Sequence, residues 1–463
     1  MASKWRRLPV AAAMAGAALA VGAAPSMAAN GTLVRMAGYK SPGTPAKYNK
    51  VGVLEFGPAS APNVLVLNPG TSASAAYFAP VARDIVRGSK GWQVWSVERR
   101  ENLLEDHSEA DRVKTGKAGG QELYNYYLGY LQDSGVTNHF QQVPEAQLAF
   151  AKRWGMRTEI EDLRRVVLSA EKRGGKVVVG GHSLGGSITS AYATWDFGGR
   201  PGAKGLSGLV FIDGGSGPTG VSVDQANASL ASLRDGSPFL AFGGIPAPFA
   251  GLFNIVSSGL TKVEPDAPAR LANFSALPAS LKAPVPVTNV GGYGYGLDND
   301  TSPASFRAGQ AHMGRLAASG DPRGWDQAGE ITPIQRYADM FFGSGLPGLD
   351  GTAWYHPMRL TIDSGAVAAG NANPAQRVLG VKATHGDDLP RSMRLYAFAT
   401  ELGSTRVLDA ARALAAQSGI PRRLLTLVNR STSYSHNDPN SASPKNDFVS
   451  TVVPYLKRVA QGR

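Results

Sequence analysis

The sequence predicts an α/β chain in which a mostly parallel sheet is covered by helices, with a large insertion late in the fold. Three observations carry this reading. Short apolar runs alternate with segments of helical spacing, the pattern of strands joined by crossover helices. One run leads through a knot of glycines into a helix-like stretch, "VVVGGHSLGGSITSAY" at residues 177–192. The alternation breaks after Gly214 and resumes near Arg391.

In chain order, Met1 to Arg7 is basic, Val10 to Ala24 is a run of small apolar residues, and Ser26 and Ala28 precede a cut. This is the layout of a secretory signal peptide over residues 1–28, implying a secreted or periplasmic protein with no stable membrane anchor after processing. The strand candidates are Val51 to Phe56, Val64 to Leu67, Trp92 to Val97, Lys176 to Val179, Leu206 to Ile212, Leu395 to Ala399 and Leu424 to Val428. Ala75 to Val86 and Glu159 to Lys172 have helical spacing, as in Ile160, Leu163 and Val167. A smaller insertion, Thr115 to Gly155, carries Tyr124, Tyr126, Tyr127 and Tyr130, a spacing that usually means packing. The core is therefore expected over residues 29–215 and 391–463.

Residues 216–390 are rich in proline and glycine and supply few strand candidates. A segment that long is expected to be an inserted cap or lid and not a loop. Within it, the apolar stretch 238–260 is broken by Pro246, Pro248 and four glycines, a poor pattern for a membrane span. It reads as part of the cap, with Phe242 and Phe253 as candidate walls of a substrate pocket.

Composition closes off other classes. With no cysteine among 463 residues, disulfides, thiolate chemistry and cysteine-based zinc sites are excluded. The formal charge is +12, but no dense basic run interleaved with aromatics points to nucleic acid. "GGYGYGLDND" at 291–300 lacks the lysine of a phosphate loop and the ligand spacing of a calcium loop; a turn is expected there, and neither metal nor cofactor is implied.

The glycine knot has a mechanical meaning. A serine hydroxyl is a weak nucleophile, and a sharp strand-to-helix turn holds it clear of the backbone where a base can reach it. Gly181, His182, Ser183, Leu184 and Gly185 meet the G-x-S-x-G pattern, with a valine strand before and a helical stretch after. On these residues the chain resembles the α/β-hydrolase superfamily, in the "GHSLGG" form of lipases and esterases, over roughly residues 50–215 and 390–463.

The resemblance implies Ser183 as nucleophile and a triad in the order serine, acid, histidine. His436, in the polar loop "YSHNDPNSASPKNDFV" after "LLTLV", resembles the family's base. Two carboxylates compete for the acid: Glu401, ending "LYAFATE", is favoured, and Asp213, ending "LVFIDGG", is the alternative. The oxyanion donors expected are the backbone N–H groups of Leu184 and of Thr71, in "LNPGTSAS", with Ser72 also open. Here Asn68-Pro69-Gly70 stands where a His-Gly pair is common in the family. The function implied is hydrolysis of small-molecule or lipid-like carboxylic esters without a cofactor. A peptidase or amidase of the same fold and a non-catalytic binding protein that keeps it are the competing readings.

Overall fold

A computed structural model of the chain describes residues 31–462; the expected signal peptide lies outside them. The eight strands of the main sheet are β1 (Thr32–Ala37), β2 (Lys50–Phe56), β3 (Asn63–Asn68), β4 (Trp92–Glu98), β5 (Val177–His182), β6 (Gly208–Ile212), β9 (Arg394–Ala399) and β10 (Leu425–Asn429), with a separate hairpin of β7 (Arg315–Gly320) and β8 (Arg323–Asp326). The sheet runs in the order β1-β2-β4-β3-β5-β6-β9-β10. β2 pairs antiparallel with both β1 and β4, and all later pairs are parallel.

Helices cover both faces of the parallel strands, so these strands read as near-continuous apolar runs. Side chains alternate across a strand, so Val64 and Val66 join one core while Leu65 and Leu67 join the other, all fully buried. The helices used below are α1 (Ala79–Gly88), α2 (Met156–Glu171), α3 (Leu184–Thr194), α4 (Phe249–Val263), α5 (Asn289–Leu297), α6 (Arg406–Gln417) and α7 (Asp447–Gln461). The first core takes Ile160, Leu163 and Val167 of α2, Ile188 of α3 and Leu414 of α6. The second takes Val81 and Ile85 of α1 and Phe448, Val452 and Leu456 of α7. Burying each such side chain contributes about 1.5–3 kcal/mol.

Residues 213–393 connect β6 to β9, which lie side by side in the sheet. Although rich in proline and glycine, this segment carries several helices, α4 and α5 near its centre, joined by long irregular stretches. The expected turn at 291–300 is corrected, since residues 291–297 belong to α5. Its glycines let the helix approach its neighbours: a Cβ at Gly294 would stand 2.5 Å from the Trp325 ring. Asp298, beyond its end, accepts from the N–H groups of Asp300, Met313 and Gly314, so its carboxylate organises the following loop. A third core joins α4 to the 115–155 insertion, with Tyr127 buried against Trp354 and Phe140. Among the described residues no helix is long and apolar enough to cross a membrane.

Candidate active site

Ser183 occupies the corner between β5 and α3 with φ 56° and ψ −124°, a conformation costly for any residue with a Cβ. Two glycines make the corner possible. A Cβ on Gly181 would lie 2.2 Å from the Gly185 carbonyl oxygen, and one on Gly185 would lie 2.0 Å from that of Asn68. The turn therefore pushes Ser183 out of the sheet, with Leu184 as the first helical residue behind it. Unpaired N–H groups and the positive end of the helix dipole gather at such a terminus.

His436 reaches the same place from the loop after β10, and Ser183 and His436 line one cavity. Its Nδ1 stands 2.6 Å from Oδ2 of Asp213, both residues being buried. The favoured acid is thereby corrected: Asp213 at the end of β6, and not Glu401, faces His436. The reason lies in the adjacency of β6 and β9. Their ends deliver both carboxylates to one region, and the donors converge on the earlier strand. Thr400 N–H (2.8 Å), the Thr400 hydroxyl and Gly403 N–H (3.1 Å) all donate to Asp213. Burial pushes the Asp213 carboxyl up, but the hydrogen bond and charge of His436 with the Thr400 donors outweigh it, holding it down to about 2. Glu401 instead accepts from the Ser435 hydroxyl at 3.1 Å and stands 3.7 Å from Nε2 of His312. It braces the residue before His436 and does not touch His436 itself.

A polar network backs the histidine loop. His182, inside the elbow, lies with Nε2 2.8 Å from the His436 carbonyl oxygen and Nδ1 3.2 Å from the Tyr77 hydroxyl. Tyr77 in turn donates to Asn437 and accepts from Asn440 at 2.7 Å. Burial, reinforced by the neighbouring His436, lowers His182 to about 3, so this imidazole stays neutral. His312 meets Asp438 at 2.6 Å, and Asp438 also accepts from Ser435 N–H. The other downstream histidines lie elsewhere: His356 beside Thr361, and His385 near Asp196 and Asp388.

The loop after β3 supplies Thr71 and Ser72 to the same cavity, and Leu184 lines a second cavity that also reaches Ser183 and His436. Ser72 carries a positive φ of 52°. What fixes the loop is Arg99, a fully buried side chain. Its guanidinium donates to the carbonyls of Pro69 (2.8 Å), Gly70 (3.0 Å) and Ala73 (3.0 Å), and its Nε to Glu101 at 2.7 Å. Sequence reasoning missed Arg99 because an arginine just past an apolar strand carries no motif. A second support comes from residues 350–354, where Ala353 N–H donates to Ser72 O at 2.9 Å and Ser74 N–H to Gly351 O at 3.2 Å.

The cavity above Ser183 is predominantly apolar, and Phe242 and Phe253 both line it. Phe242 is half-buried and packs edge-on against Phe306, whereas Phe253 is buried against Phe274. Tyr293, Leu297 and Phe341 continue the wall.

The strand order, the antiparallel second strand and the elbow after β5 define the α/β-hydrolase fold. The chain is similar to several solved structures at low identity. A lipase in an open form is 14% identical, with TM-score 0.42 over 93% of this chain and 99% of that one. A highly thermostable carboxyl esterase from Bacillus coagulans is 12% identical, with TM-score 0.41 over 92% and 99%. A thermophilic esterase from Thermogutta terrifontis is 12% identical, with TM-score 0.39 over 93% and 99%. No protein-family model and no curated protein matches the chain in sequence. Likeness of this degree carries no argument about what the chain does.

Proposed function

We propose that the chain is a secreted serine hydrolase that cleaves carboxylic esters with an apolar acyl group, using Ser183 as nucleophile, His436 as general base and Asp213 as the orienting acid. The observation that carries the reading is the buried 2.6 Å pairing of His436 with Asp213, beside a serine held in a strained turn at the floor of an apolar cavity. In this mechanism His436 takes the Ser183 proton as the oxygen attacks the ester carbonyl, then gives it to the departing alcohol. Water repeats the sequence to release the acid and restore Ser183.

Asp213 stays ionised, stabilises the imidazolium and holds the ring orientation. The backbone N–H groups of Leu184 and Thr71 serve the developing oxyanion, a donor of this kind being worth about 2.7–4 kcal/mol. Residues 216–390 act as the cap that builds the acyl pocket, and residues 1–28 direct export.

The test is covalent labelling by a fluorophosphonate probe, alongside turnover of esters of graded acyl length and of aminoacyl amides. Labelling abolished in Ser183→Ala, with esters preferred, is expected. Labelling that persists in Ser183→Ala removes the mechanism. Preference for the amides moves the chain to the peptidase reading, and an unreactive wild type makes it a binding protein.

A further inference from the structure

Behind the Ser72–Ser74 loop, away from the cavity, lies a buried cluster that the ester chemistry does not use. His107 directs Nε2 at Oε2 of Glu105 (3.3 Å) and at Oδ2 of Asp350 (3.2 Å), and both carboxylates are almost completely buried. These three ligand-type atoms lie within 4.8 Å of one another. In a tetrahedral site with bonds of about 2.0–2.1 Å, neighbouring donors stand roughly 3.3 Å apart. The two nitrogen-to-oxygen spacings match that edge.

Both carboxylates are already held. Trp354 N–H donates to Oε1 of Glu105 at 2.8 Å and Thr352 N–H to Oδ1 of Asp350, the two outer oxygens, while the Trp354 indole donates at 2.7 Å to Oδ2 of Asp350, the oxygen that faces His107. Donors of this kind orient ligating carboxylates and leave their inner lone pairs aimed together.

Charge points the same way. Two ionised carboxylates around one imidazole need two positive charges for neutrality; a proton on Nε2 of His107 supplies one, whereas a divalent ion in place of that proton supplies both. The neighbouring cation, Lys114, is engaged by Asp111 (3.2 Å) and the carbonyls of Leu346 (3.1 Å) and Leu349 (2.6 Å). A divalent ion closes the balance, and a mixed nitrogen and oxygen donor set suits zinc better than calcium or magnesium, which select oxygen.

We propose that Glu105, His107 and Asp350 bind one divalent transition-metal ion of the zinc type, which clamps residues 350–354 to the core. The site is structural. Asp350 offers its carbonyl oxygen to the Ser74 hydroxyl, and the next residues bridge to Ser72 and Ser74, so the ion stiffens the loop carrying Thr71 from behind. The cluster escaped sequence reasoning because Glu105 and His107 lie more than 240 residues before Asp350, with no metal-motif spacing.

The test uses the whole chain, stripped with a chelator and titrated with Zn²⁺, with Ca²⁺ and Mg²⁺ as controls, while binding and melting temperature are followed. Expected are one Zn²⁺ per chain, a melting temperature that rises until one equivalent is bound, and little response to the controls. His107→Gln and Glu105→Gln should each weaken Zn²⁺ binding by roughly 10-fold or more. A wild type that binds no Zn²⁺ overturns the proposal and leaves a proton as the occupant. Unchanged Zn²⁺ affinity in a folded His107→Gln also overturns it. Because the wild-type titration stands alone, variants that fail to fold leave the decision intact.

Discussion

Asp213 and Glu401 end neighbouring strands, yet only Asp213 touches His436, at 2.6 Å, while Glu401 turns to Ser435 and His312. Asp213→Asn is therefore expected to lower ester turnover severely, by up to about 10⁴-fold on the serine-protease precedent, because the amide cannot stabilise the imidazolium. Glu401→Gln should cost far less turnover. Steady-state kinetics of both variants on one small ester, with melting temperatures alongside, check the assignment. A severe loss confined to Glu401→Gln would sink it.

His436→Ala should behave almost like Ser183→Ala, and the double variant should be no worse than either. Members of such a unit act together, so their losses do not add. The measurement is turnover for the two single variants and the double variant on the same ester.

Arg99 is expected to control the rate without touching substrate. Arg99→Lys keeps the charge but loses the planar fork that holds the carbonyls of Pro69, Gly70 and Ala73. The expected outcome is a kcat about 10- to 100-fold lower with KM little changed, since the oxyanion donor drifts while the apolar pocket remains. Arg99→Met should also destabilise the fold by about 3–5 kcal/mol, because Glu101 is left buried without its partner. Equal changes in kcat and KM for Arg99→Lys would assign it to general packing.

The two phenylalanines should separate. Phe242 is half-buried at the cavity wall, so Phe242→Ala should shift preference among acyl lengths with little loss on acetyl esters. Phe253, buried against Phe274, should cost stability as well, about 3–5 kcal/mol for Phe253→Ala. An acyl-length panel and a denaturant melt read these two effects independently.

His312 links stability to pH. Burial opposes its charge, but Asp438, Glu401 and Glu330 face it and raise it from 6.5 to about 9. A raised histidine contributes stability that is complete below about 6.5 and lost as pH rises through about 9. The wild-type melting temperature should therefore fall across that window, and His312→Asn should flatten the fall. An equally steep decline in the variant would remove His312 as its source.

Much of this was legible in the sequence. The seven apolar runs from Val51 to Val428 all become strands of the main sheet, with ends shifted by up to three residues, because strands covered on both faces read as continuous apolar runs; β10, at the sheet edge, is only half-buried. β1 went unread, since an exposed edge strand such as Thr32–Ala37 carries no such run. Ser183 is readable from its local context and His436 from the resemblance to the family's histidine loop, and the structure brings them to one cavity. The choice between Asp213 and Glu401 was not local. It depends on where Thr400 and Gly403 direct their N–H groups across the β6–β9 pairing, and neither residue type announces that. The helices of 216–390 were hidden because Gly and Pro mark breaks, whereas α5 uses its glycines for close packing against Trp325.

The side-by-side placement of β6 and β9, with residues 213–393 between them, bears on how the chain acquires its shape during synthesis. When Ile212 leaves the ribosome, the strand meant to sit beside it is still unmade, and β10 and α7 come later still. Until they arrive the half-sheet ends in an apolar edge with open backbone groups, the surface on which chains join one another by mistake. The histidine loop is translated after β10, later than every strand of the sheet. A growing chain is therefore expected to be most prone to aggregation after the elbow has formed and before His436 exists, and to gain activity only when the final strand pair closes the sheet.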